Sequence, residues 1–303
     1  MKENMFNNFD LLYDRVLETM EKTNLEQIKM TFKSITTPTI VSGVGGSHVV
    51  SQFMAKVLST KNNIICENMT PRDLIYMNKS GYQNVVVCSY SGNNFGVDTA
   101  FNNDLNKYLF SKTERDNVIN INYKVLNSED SFVSLAATLI PITLLLYYYC
   151  EDIDLIKTIL HSKVNFKIND GNIYEILSGY ETSTATEFIE STLVESGIGI
   201  PIVHDKYDFC HGRTTLGYKN NTNLIFFDCN NQLDILYRKE LNNYYDNIIS
   251  LNKKFNDEII NDYYLTYISM LLCKEIACRQ DKDLSNVDYS PLVKKLYYFK
   301  DEM

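Results

Sequence analysis

Two short segments place glycines and small hydroxyl residues where a backbone can close around a ligand. Gly43-Val44-Gly45-Gly46-Ser47 follows the apolar run Pro38–Ser42, and Ser89-Tyr90-Ser91-Gly92-Asn93-Asn94 follows Asn84-Val85-Val86-Val87-Cys88. Each apolar run reads as a short buried strand, and helical spacing of apolar residues follows each segment. Side chains and N–H groups at the carboxyl ends of parallel strands face the binding crevice of an open α/β sheet. Hydroxyls, backbone amides and helix N-termini brought together there can ring a phosphate dianion without any basic residue. Either segment alone also reads as a tight β–α turn with a good cap. Two of them, on strands expected to be neighbours, favour the ligand reading.

The elements that must hold these turns alternate along the chain. Residues 5–33 carry amphipathic helical spacing, with Phe9, Leu12, Val16 and Met20 three and four apart. A helix is expected over Val49–Leu58, a strand over Asn63–Cys66, and a helix start at Thr70-Pro71-Arg72-Asp73, with Pro in the first helical position. Helical spacing is read over Phe95–Phe110, a β-like piece over Asn117–Tyr123, and a long apolar helix from Phe132 to about Cys150. After a connector, a second β–α round begins: a strand over Tyr174–Gly179, a helix from Thr184 to about Glu195, and a strand over Ile198–His204. A strand over Leu224–Phe227 and helices over Gln232–Asn243 and Asp262–Arg279 complete it. This order predicts an α/β fold of two flavodoxin- or Rossmann-like domains, each a mostly parallel sheet flanked by helices. The expected division is N-terminal helices over 1–34, a first domain over 35–165 and a second over 166–303.

A dinucleotide site is the nearest competitor. The Gly-x-Gly-x-x-Gly fingerprint needs a third glycine where His48 stands, although Glu67 ends a strand about 20 residues on, as a ribose-binding acid would. The Ser-Tyr-Ser-Gly turn has no part in that fingerprint.

Bulk properties narrow the partners. The 303 residues carry 29 Lys plus Arg against 38 Asp plus Glu, a formal charge of −9 with no basic stripe, which argues against nucleic acid. The seven cysteines, at 66, 88, 150, 210, 229, 273 and 278, form no CxxC and read as buried, reduced thiols of a cytoplasmic protein. The start of the chain lacks the apolar core of a signal peptide. The longest apolar run, Leu139–Cys150, is too short to span a bilayer, so no membrane association is expected. No cluster has metal-ligand spacing, and neither a metal nor a cofactor is called for. His48 and His161 read as structural. His204 and Asp205, at a strand end, are secondary candidates for the site.

The two glycine–serine segments resemble the phosphate loops of sugar isomerase (SIS) domains, as in the isomerase half of glucosamine-6-phosphate synthase. The family's second loop usually reads Ser-x-Ser-Gly-x-Thr, and here the last position is Asn94. Ser131-Phe132-Val133-Ser134 resembles the family's third substrate-lining segment. Together these matches cover roughly residues 35–150. The resemblance implies that Gly45, Gly46, Ser47, Ser89, Ser91, Gly92 and Asn94 bind the phosphate and that Ser134 lines the sugar.

In the second half, double-SIS enzymes place a catalytic Glu at a helix end and a His-Gly dipeptide 16 residues later, the spacing of Glu195 and His211-Gly212. Arg213 stands where the family usually has Pro. Lys294-Lys295-Leu296-Tyr297 resembles a basic element near the C-terminus of related chains, so Lys294 or Lys295 would be the sugar-contacting lysine.

The resemblance implies an aldose–ketose isomerase of sugar phosphates that works without a cofactor, through an enediol or, with loss of an amine, an enolamine. Glu195 would move the proton between C1 and C2, and His211 would open the sugar ring. In synthase-type relatives that His comes from the neighbouring subunit, which implies a homodimer. The same domains also serve as non-catalytic sugar-phosphate sensors, the alternative reading. A glutaminase domain is absent, so a glutamine-dependent synthase is not expected of this chain by itself.

Overall fold

The computed structural model describes residues 11–125, 135–220, 222–284 and 287–292. It divides into two compact units, Met1–Ile156 with Asp288–Met303, and Lys157–Val287.

The first unit opens with α1 (Leu12–Lys22) and α2 (Leu25–Ser34), the latter capped by the Asn24 side chain, which accepts from the Gln27 N–H. Then come β1 (Thr39–Ser42), α3 (Gly46–Asn62), β2 (Cys66–Met69), α4 (Pro71–Tyr76), β3 (Asn84–Cys88), α5 (Phe95–Phe101), β4 (Asn106–Ser111), β5 (Ile119–Asn122) and α6 (Leu135–Cys150). The five strands form one all-parallel sheet in the order β2-β1-β3-β4-β5. Every residue of β1 and β3 is buried, as continuous apolar strands covered on both faces require. One face packs Ile40, Val85, Val87 and Leu109 against Val97 and Phe101 of α5 and Leu74 of α4. Elsewhere Phe32 of α2 meets the ring of Phe110 edge-on and that of Tyr148 at a tilt. Helix α6 is apolar all round and contains Pro141, and it lies against α3. No helix among the described residues is long and apolar enough to cross a membrane.

The second unit contains β6 (Ile173–Ser178), α8 (Ser183–Glu195), β7 (Ile200–Asp205), α9 (Thr215–Lys219), β8 (Asn223–Asp228), α10 (Gln232–Glu240), β9 (Ile248–Asn252) and α11 (Glu258–Arg279). The division between units falls within α7 (Ile153–Leu160). Its sheet is again all parallel, in the order β7-β6-β8-β9. The 22-residue α11 is buried along most of its length and packs on α8.

Three local expectations are revised. Helix α3 runs on to Asn62 and stops at Asn63 in the left-handed conformation (φ +53°), which moves β2 from the expected 63–66 to Cys66–Met69. The helical spacing read through Phe110 ends at Phe101, because Asn103-Asp104-Leu105 turns the chain into β4. Strand β9 was not anticipated. The Thr70 start is as read: Thr70 and Asp73 form a reciprocal capping box, with Pro71 in the first turn of α4.

Candidate functional site

In the first sheet the chain moves from β1 outward to β2, then crosses back to β3 on the other side of β1. The connections therefore run in opposite directions from β1 and β3, and a crevice opens at their carboxyl ends, where open α/β sheets take ligands. Both glycine–serine segments leave the sheet at this crevice. Gly43 has no room for a side chain: a Cβ there would lie 2.1 Å from the Ser47 carbonyl oxygen. Gly45 caps α3 at φ +58°, ψ −136°. The Ser47 N–H donates to the Val44 carbonyl and the His48 N–H to that of Gly45, so Ser47 sits in the first turn of a 17-residue helix.

The second segment is organised by its own side chains. Ser89 is buried, and its Oγ accepts from the Gly92 N–H at 3.0 Å. Asn94 caps α5, its Oδ1 accepting from the Val97 N–H at 3.0 Å. Ser89 and Asn94 thus help to build the turn as acceptors, which leaves the Ser89 O–H and the Asn94 amide N–H groups as donors. The Ser47 and Ser91 hydroxyls, both half-buried, make no hydrogen bond to a described residue. The first segment abuts the helix that follows the second: a Cβ on Gly96, in the first turn of α5, would lie 3.0 Å from Val44 Cγ2.

The end of β4 braces the second turn, which sequence reasoning missed because β4 itself was read as helix. Ser111 Oγ donates to the Tyr90 carbonyl (3.3 Å) and Thr113 Oγ1 to the Ser91 carbonyl (2.7 Å). Gly92 stands at φ +73°, where a Cβ would meet Thr113 Oγ1 at 2.3 Å. Gly92→Ala is therefore expected to cost about 1–3 kcal/mol, from left-handed backbone strain and the lost brace. Denaturant unfolding of the variant checks this.

The equivalent crevice of the second sheet, between β6 and β8, is taken up by the protein's own ion pairs. The Lys206 ammonium is buried there, 3.0 Å from Glu181 Oε1 and 2.8 Å from Asp234 Oδ1. Burial pulls that ammonium down, and the Asp234 and Glu181 carboxylates more than offset it, so its pKa is raised. Arg238 pairs with Asp228 through Nε at 2.6 Å and its terminal nitrogen at 2.7 Å. Glu181, Cys229 and Asp234 hold one potential ligand atom each within 4.8 Å of one another, and the cation among them is Lys206 itself.

Glu195 ends α8, half-buried, with Ser191 Oγ donating to its Oε1 at 2.9 Å. Burial raises its carboxyl pKa; the Ser191 hydrogen bond works against the shift and Glu190 adds to it. Gly197, at φ +62°, turns the chain from Glu195 into β7. His211 is exposed and lies beyond the other end of β7, in a turn that Gly212 completes at φ +92°. The six-residue strand, about 20 Å long at 3.3 Å per residue, places the two beyond its opposite ends. One copy of this unit therefore does not bring Glu195 and His211 together. Asp205 caps the following turn, accepting from the Tyr207 and Asp208 N–H groups. His204 is buried against Glu175. His48 Nε2 lies 3.4 Å from the Asn68 amide, and His161 Nδ1 2.8 Å from the Lys157 carbonyl. Cys88 and Cys273 are buried as expected, whereas Cys210 is exposed. Ser134, Lys294 and Lys295 lie outside the described residues.

No protein-family model matches the sequence, and no curated protein matches it. Solved structures do match. A candidate phosphosugar isomerase of Clostridium difficile 630 superposes with a TM-score of 0.68 at 14% identity, over 98% of this chain and 99% of that one. The tagatose-6-phosphate ketose/aldose isomerase of Escherichia coli gives 0.68 at 13% identity, over 95% and 96%. The C-terminal domain of glucosamine-fructose-6-phosphate aminotransferase from Francisella tularensis gives 0.64 at 14%, over 96% and 99%. This chain has the double-SIS fold. At these identities the likeness speaks for the architecture, and function must come from the residues. Within the SIS fold, the two glycine–serine loops occupy the switch point of the first sheet, and the second sheet's switch point is filled by its own ion pairs.

Proposed function

We propose that this protein is a sugar-phosphate isomerase that holds its substrate's phosphate at the first sheet's switch point. The Ser47 and Ser91 hydroxyls carry the reading: they stand on loops that follow neighbouring strands, Ser47 in the first turn of α3, with glycines that leave the backbone accessible. Glu195 is the base that moves the proton between C1 and C2, its raised pKa bringing it nearer the working range of a general base. His211 opens the ring and is supplied by a second copy, in keeping with the strand length between it and Glu195. Whether an amine leaves during turnover depends on the substrate's C2 group. The isomerase names of the superposed proteins support the substrate class.

The separation of Glu195 and His211 also favours a second reading, a sugar-phosphate sensor that binds without turnover. A melting-temperature screen against hexose, pentose and amino-sugar phosphates, paired with an interconversion assay, separates the two. A ligand at 100 times its Kd adds about 2.7 kcal/mol of stability. Removing one hydrogen bond to a charged phosphate costs about 1.5–3 kcal/mol. Ser47→Ala and Ser91→Ala are accordingly expected to weaken binding about 10- to 100-fold. Binding with interconversion supports the isomerase, binding without it the sensor. A response to NAD alone would overturn both.

A further inference from the structure

The two glycine–serine loops contain no basic residue. A candidate comes from the neighbouring strand. β3 and β4 run parallel with Cys88 opposite Phe110, and the Ser89 N–H donates to the Phe110 carbonyl, so residues 111–113 run alongside 89–91. Ser111 and Thr113 each tie down a carbonyl of the turn. Lys112, between these two braces, extends its ammonium over the Tyr90 ring, with Nζ 4.1 Å from the centroid. It is half-buried and has no carboxylate within ion-pair distance among the described residues. In a chain with nine more acidic than basic side chains, an ammonium without a carboxylate is a group with spare charge.

An ammonium over a tyrosine face at an exposed site is ordinarily worth little, and a solvated surface lysine is the competing account. Two features of this lysine argue otherwise. Its backbone is pinned on both sides to the turn that presents Ser91, which limits how far the ammonium can stray from that turn. The ring then holds it as a cation without neutralising it, since a π face carries no net charge. Hydroxyls, amides and a helix N-terminus can hold a phosphate dianion, and a full positive charge beside them strengthens the hold; the loops themselves carry no such charge.

We propose that Lys112 is the cationic member of the anion site, contributing charge to the phosphate of a phosphorylated sugar and so selecting it over the unphosphorylated sugar. This rests on the reading of Gly43–Ser47 and Ser89–Asn94 as phosphate loops. Lys112 acts on the bound group and takes no part in proton transfer.

The test is titration calorimetry with inorganic phosphate and with fructose 6-phosphate, at two ionic strengths, on the wild type and four variants. Lys112→Gln is expected to weaken both ligands about tenfold and to flatten the loss of affinity with added salt. Lys112→Arg should stay within about threefold of wild type, because it keeps the charge. Lys107→Gln makes the same change in net charge at the opposite end of β4 and should bind as wild type. Ser91→Ala reports on the loops themselves. If Lys112→Gln binds like wild type with the same salt dependence while Ser91→Ala weakens binding, Lys112 is a surface lysine and this proposal falls alone. If the wild type titrates with neither ligand, the phosphate-loop reading fails and takes this proposal with it.

Discussion

Glu195→Gln is expected to lower kcat by about 10²- to 10⁴-fold while leaving the affinity for the sugar phosphate within a few-fold, the loss typical of a missing general base. The substitution keeps the size of the side chain and the Ser191 hydrogen bond, whose acceptor becomes an amide oxygen. It removes only the ability to take a proton. Burial, the largest influence on this carboxyl, holds its pKa above the ordinary value of 4.5, so the acid limb of the kcat/KM profile should lie above that value. The same shift fixes the sign of a stability effect. The folded state holds the proton more tightly than the unfolded chain, so any contribution from Glu195 is fully present below the unfolded pKa. It is lost as pH rises through the folded one. At pH 8 the glutamine variant should therefore melt no lower than wild type, and any advantage should vanish in acid. Melting curves across pH, run beside the interconversion assay, check both halves. Undiminished turnover in Glu195→Gln would remove Glu195 from the chemistry.

What the sequence disclosed followed from how local each signal was. Asn84–Cys88 is a strand on its face, because a buried parallel strand must be apolar on both sides, and the glycines and serines after it lie where the fold puts ligands. The division of labour within the turn was less visible. An Asn immediately before a helix is a preferred N-cap as well as a possible phosphate ligand, and here the Asn94 Oδ1 caps α5 while its amide N–H groups remain donors. Ser89 likewise serves the turn through Gly92. Strand β4 was hidden because its first residues, Asn106 and Lys107, are polar and the preceding helix blurs into it. Ser111, Lys112 and Thr113 were lost with it. The crevice between β6 and β8 drew no notice, since Glu181, Lys206, Asp228 and Asp234 are spread over some fifty residues and meet only through the sheet order. Glu175 was invisible for the same reason: it looks like one polar residue in an apolar strand.

That glutamate is expected to give the largest loss of stability in the second unit. Glu175 is fully buried on a sheet face it shares with Leu177, Leu224 and Phe226. Its carboxylate accepts from Thr222 Oγ1 at 2.6 Å and from His204 Nε2 at 3.1 Å, and the Tyr245 hydroxyl beside it is pushed up, first by burial and then by this carboxylate. Removing one member of a buried hydrogen-bonded set leaves its partners unsatisfied, at about 1–3 kcal/mol for each such group and more where it is charged. Glu175→Ala and His204→Ala should each cost about that much. Glu175→Gln, which can still accept from Thr222, should cost less. A double replacement by apolar residues of similar volume, Glu175→Leu with His204→Phe, should recover most of the loss, since no charge is left to desolvate. Denaturant unfolding of the four proteins measures these differences, and an Ala variant within 1 kcal/mol of wild type would show the pair to be energetically idle. The effect should reach His211 as well. The His204 ring packs 5.2 Å from that of Phe209, which opens the turn carrying His211, so losing the pair loosens the support of that turn. Turnover should therefore fall in His204→Ala at temperatures where the protein remains folded, while phosphate binding on the first unit's loops stays intact.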